Sequence, residues 1–114
     1  MLYPEEEEKV RIYRAATGVV TLTFPEDLPL DLCTKMRVTI AQIKPPAKIV
    51  KTLEDDVTIA GQAAVAQYSQ EETIKLRPGD ALLQARLLLS TGAVRTTELI
   101  PVEVIDSIDL EVMT

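Results

Sequence analysis

Any chemistry in this chain would have to come from carboxylates, hydroxyls, lysines or one thiol, because its 114 residues include no histidine. A Ser–His–acid relay or a Cys–His pair therefore cannot be assembled. Acidic side chains gather at three places: Glu5–Glu8, Glu54-Asp55-Asp56 and Asp106/Asp109/Glu111. A hard cation such as calcium asks for about six to eight converging oxygens. None of the three runs has the spacing of a calcium loop, so each reads as a solvated arm, turn or tail. Paired carboxylates could serve glycoside hydrolysis, but three tyrosines and one phenylalanine leave little to stack on a sugar in an apolar pocket. Ser69, Ser90 and Ser107 fit a helix cap, a turn and a tail, and no lysine sits in a motif. Cys33 follows Asp31, whose charge would raise the thiol pKa, so it reads as a small packing residue. The residue types predict no enzyme, no cofactor and no metal site.

Composition narrows the partners. Twelve basic against eighteen acidic residues give a net charge of −6, which argues against a nucleic-acid partner, since phosphate binding needs a cationic surface. No apolar run approaches the roughly 18 residues of a spanning helix, and no basic-then-apolar leader opens the chain, so no membrane partner is expected. A single cysteine excludes an intrachain disulfide framework and fits a reducing compartment. The length suits one domain with a core of its own.

The elements that would have to position these groups are short and extended. Residues 1–9 read as an acidic arm, 10–106 as the folded domain and 107–114 as an extended tail. Val20, Leu22 and Phe24 alternate with Val19, Thr21 and Thr23, and Met36, Val38 and Ile40 alternate with Lys35, Arg37 and Thr39. Leu83, Ala85, Leu87 and Leu89 do the same against Leu82, Gln84, Arg86 and Leu88. Period two of this kind marks half-buried strands. Weaker runs cover Val10–Tyr13, Lys48–Leu53, Val57–Ile59 and Gln62–Tyr68, with Gly61 as a turn. A long strand over Val94–Val104 completes a hairpin through Ser90-Thr91-Gly92, and Pro101 marks an edge or bulge within it. The tail alternates Ile108, Leu110 and Val112 with Asp109 and Glu111, and so predicts one more short strand. Ser69 and Glu72 have capping-box spacing, Glu71 and Lys75 an i,i+4 pair, and Pro78 an early stop. One short helix near 69–76 follows. The whole predicts an all-β protein, an antiparallel immunoglobulin-like β-sandwich of about seven or eight strands.

With its acids at the termini and turns, the domain reads as a neutral-to-basic sandwich with acidic ends. Both ends suit pairing with another subunit, which makes Leu2, Tyr3, Ile108, Leu110 and Val112 candidate assembly contacts. Whether the tail pairs within its own chain or with a neighbour stays open at this point.

A set of motifs runs from Ile12-Tyr13-Arg14 through Leu22-Thr23-Phe24, Asp31-Leu32 and Val38-Thr39-Ile40-Ala41-Gln42 to Ser69-Gln70-Glu71-Glu72-Thr73. It continues with Pro78-Gly79, Gln84-Ala85-Arg86, Gly92 and Val102-Glu103-Val104-Ile105-Asp106. In this order they are similar to the small β-sandwich structural proteins of tailed bacteriophages and prophages, such as the N-terminal domain of upper baseplate proteins. The sequence departs from that pattern at Arg14-Ala15-Ala16, where glycine would follow the arginine, and it lacks the helical and receptor-binding regions of full baseplate proteins. The resemblance implies a virion structural protein without catalytic residues, partnered by other virion proteins or by itself as a homo-oligomer. It would reside in the virion and, during assembly, in the host cytoplasm. The rival expectation is a monomeric β-sandwich module that binds a host-surface or protein ligand.

Overall fold

Alternating apolar and polar side chains build two sheets that bury their apolar faces against each other. The computed structural model describes residues 10–43 and 46–114, so the arm over residues 1–9 lies outside the described residues. Nine strands form among these: β1 (Val10–Tyr13), β2 (Gly18–Thr23), β3 (Cys33–Gln42), β4 (Ala47–Thr52), β5 (Val57–Ala60), β6 (Ala63–Tyr68), β7 (Gly79–Leu89), β8 (Val94–Thr96) and β9 (Ile100–Ile105). The larger sheet has the order β1-β9-β7-β3-β4, with β8 also on β7, and the smaller sheet is β2-β6-β5.

The central strands match their expected registers. Met36, Val38 and Ile40 of β3 and Leu83, Ala85 and Leu87 of β7 are buried, as are Val20 and Leu22 of β2 and Phe24 just beyond it. They form one apolar cluster with Ala64 and Ala66 of β6, Leu30, Leu76 and Val102. Each large side chain so buried contributes about 1.5–3 kcal/mol of transfer free energy, which makes this inner layer the main source of stability. Gly61, with φ +63°, makes the tight turn between β5 and β6.

Several expectations are corrected. The larger sheet is mixed, because β1 runs parallel to β9, with Val10 opposite Val102 and Tyr13 opposite Ile105. The long strand after Gly92 is split: β8 pairs with Arg86–Leu88, β9 with Gly79–Leu83, and Thr97 fills the gap between them. Thr97 donates its N–H to the Ala85 carbonyl at 3.0 Å, and its Oγ1 accepts from the Ala85 N–H at 3.0 Å. Pro101 lies inside β9, opposite Leu82. The helix is one turn, α1 (Gln70–Thr73), too short to bring Glu71 and Lys75 together as an ion pair. Residues 107–114 form no strand; their alternation is present, but among the described residues they pair with none of the sheet edges.

Candidate functional site

Two places gather charge: one inside the sandwich and one on the outer face of the larger sheet. In β4 the alternation turns Ile49 and Lys51 inward, and Lys51 is only 4% exposed. Its Nζ donates to Asp56 Oδ2 at 2.9 Å and to Glu72 Oε2 at 2.5 Å, and it lies 5.6 Å from the centre of the Tyr68 ring. The other Glu72 oxygen accepts from the Ser69 N–H at 2.8 Å, while Ser69 Oγ accepts from the Glu72 N–H at 3.2 Å. The predicted capping box is therefore formed, and its carboxylate does two jobs. Asp56 holds a left-handed backbone, φ +70°, at the end of the β4–β5 turn.

The electrostatics hold this cluster together as an ion-paired clamp. Burial alone would lower the Lys51 pKa, but the bonds and charges of Asp56 and Glu72 outweigh it and hold the amine above its ordinary value. A lysine held protonated is neither a nucleophile nor a base. Burial would likewise raise the Glu72 carboxyl, yet the bonds from Lys51 and Ser69 keep it below the ordinary range. Burial, with the Glu72 charge beside it, pushes the Tyr68 phenol up. The clamp ties β4, the turn after it and α1 together.

The other sequence candidates stay apart. Cys33 starts β3 half-buried, with Sγ 3.2 Å from the Lys35 carbonyl, and burial raises its thiol pKa. Burial, not the charge of Asp31, is thus the dominant cause of the shift. Among the described residues no three acidic or thiol side chains converge as metal ligands; Glu5–Glu8 lie outside them. Of the proposed contact residues, Leu2 and Tyr3 also lie outside the described residues. Ile108 is fully exposed, Val112 exposed and Leu110 half-buried. Their segment is fastened at its start by an Arg14–Asp106 ion pair at 2.9 Å and by Ser107 Oγ donating to the Arg14 carbonyl at 2.8 Å. Near its end the Gln70 amide donates to the Met113 carbonyl at 2.7 Å and accepts from the Met113 N–H at 2.8 Å.

The second charged place is the outer face of β4, β3 and β7. Register sets it out in rows: Arg37 lies opposite Arg86, Thr39 between Val50 and Gln84, and Ala41 between Lys48 and Leu82. Around these cations the surface is apolar, with Ile43 76% exposed, Leu99 51%, Val50 42% and Leu82 38%. Together they line a shallow groove. Among the described residues Arg37, Arg86 and Lys48 have no ion-pair partner. Like charges directly opposite on neighbouring strands repel, so the Arg37–Arg86 row costs the isolated fold stability. The basic strand faces were visible in the sequence. The apolar half of the patch was not singled out, although the outward phase of the same alternation, Val50 and Leu82, carried the signal.

No protein-family model matches the chain, and no curated protein matches it either.

Proposed function

We propose that this chain is a non-catalytic assembly protein, a structural component of a tailed-phage or prophage virion in its tail, baseplate or capsid surface. It works by protein–protein contact through the outer face of the larger sheet. The observation that carries the assembly reading is the juxtaposition of the facing Arg37 and Arg86 with exposed Ile43, Val50, Leu82 and Leu99. An apolar patch rimmed by unneutralised charge is the composition of a recognition surface. The virion role itself rests on the likeness of the stretch from Val10 to Asp106 to the phage β-sandwich proteins. Other virion proteins or further copies of the chain are the partners, in the virion and in the host cytoplasm where it assembles.

The test begins with the neighbouring genes: portal, capsid or tail genes support the role, and metabolic genes overturn it. In particles made from such a cluster, Leu82→Asp keeps the inner core intact and should deplete the chain from purified virions. Unchanged incorporation of a variant with the wild-type thermal midpoint would refute the assignment of this face. A chain found outside particles and bound to a host-surface or protein ligand would favour the binding-module alternative.

A further inference from the structure

We propose that the outer face of the larger sheet receives the acidic C-terminal segment, residues 108–113, of a second copy of this chain. This rests on the assembly reading above and names its partner. The face supplies three cations, Arg37, Lys48 and Arg86, with no acid paired to them among the described residues, beside apolar Val50 and Leu82. The segment supplies the complement. Asp109 and Glu111 alternate with Ile108, Leu110 and Val112, so an extended conformation separates acids from apolar side chains. Ile108 has no apolar cover in its own chain.

Dimensions agree as well. Six extended residues span roughly 20 Å, and the face from Arg37 to Ile43, just beyond β3, runs about 20 Å, at roughly 3.3 Å per residue. In its own chain the segment makes no strand pairing. Beyond Ser107 it is held to the rest of the molecule by the exposed Gln70–Met113 bonds. Release gives up those bonds and the partial cover of Leu110, while docking in a neighbour turns the Asp109 and Glu111 carboxylates towards the two facing arginines. Reciprocal exchange of this kind closes a symmetric dimer.

Charge exchange in the full chain tests this directly, with light scattering and sedimentation velocity over a concentration series. Arg37→Glu/Arg86→Glu on the face and Asp109→Lys/Glu111→Lys in the segment should each weaken self-association about tenfold or more, and added salt should weaken the wild type. All four changes in one chain should restore association to within about threefold, because the pairing is re-formed with signs reversed. Circular dichroism and the thermal midpoint establish that each variant is folded. Association that is lost in both double variants and not restored in the quadruple one overturns the direct contact. Association abolished by Leu82→Asp but indifferent to Asp109 and Glu111 overturns the segment as occupant and keeps the face. A wild-type chain that is monomeric at every concentration overturns the second copy as partner, while the virion role is still decided by the gene neighbourhood and the particles.

Discussion

Tyr68→Phe should stabilise this protein. Tyr68 is 2% exposed, and its hydroxyl meets no hydrogen-bonding group among the described residues. Taking a hydroxyl out of water without replacing its bonds costs about 1–3 kcal/mol. Phenylalanine removes that cost and keeps the ring under the Lys51 ammonium at 5.6 Å. The small void left by the oxygen takes back part of the gain, roughly 1 kcal/mol at most. The balance is a gain of about 1 kcal/mol, or roughly 4 °C in thermal midpoint for a domain of this size. Urea unfolding followed by circular dichroism measures it, with an unchanged slope showing that the same surface unfolds. A loss of about 1 kcal/mol or more would refute the reasoning. It would mean that the hydroxyl holds a hydrogen bond in solution, through a bound water for instance, and that the Lys51 clamp includes a fourth polar member.

Two further outcomes concern strain and pH. Ala15 sits at φ +62° between β1 and β2, where a side chain costs about 1–2 kcal/mol. Ala15→Gly removes this against a chain-entropy loss of roughly 0.5–1 kcal/mol. Calorimetry should show a midpoint about 2 °C higher, and a lower one would mean that the turn is not left-handed. For Glu72, burial opposes ionisation, but Lys51 and Ser69 hold the folded-state pKa below the ordinary 4.5. The folded chain then binds fewer protons than the unfolded one as pH falls. The carboxylate's contribution is present above about pH 4.5 and is lost as pH drops through the folded value. Glu72→Gln should cost about 1–2 kcal/mol at neutral pH, since Lys51 keeps Asp56. Its urea midpoints should also fall less steeply on acidification than those of the wild type, and parallel profiles would rule out the clamp as their source.

The strands that carry the core were readable because one strong signal decided them. In β3 and β7 period-two alternation holds over three and four apolar positions respectively, and a slip of one residue would expose them all. The same signal misled at Ile108–Val112, since alternation says that a segment could pair and not that an edge is available. The parallel placement of β1 beside β9 joins residues 92 apart, such as Val10 and Val102, and no local pattern specifies such a neighbour. Lys51, within the weak run Lys48–Leu53, was not singled out, because its burial is decided by Asp56 and Glu72, 5 and 21 residues away. Glu71 and Lys75 have a pairing distance only on a second helical turn, which the chain does not make. Ala15 after Arg14 holds a left-handed backbone that glycine would adopt without strain, and no local pattern in the sequence marked that turn.

How the cations are treated in different parts of the molecule bears on its use. Lys51, where the inner packing is at stake, is given two carboxylates; Arg14 is given Asp106, and Arg11 is given Glu103. On the outer face of β3, β4 and β7 three cations are given none among the described residues, and two of them are set directly opposite each other. A fold selected for stability alone would place threonine, or opposite charges, in such a cross-strand row. Its inner faces do follow that logic, down to the small Ala64 and Ala66 of β6 inside the apolar cluster. The outer face breaks it while also leaving Ile43, Val50 and Leu82 in water. Folding does not require that combination, and the proposed assembly role accounts for it through a partner carrying acidic and apolar side chains together.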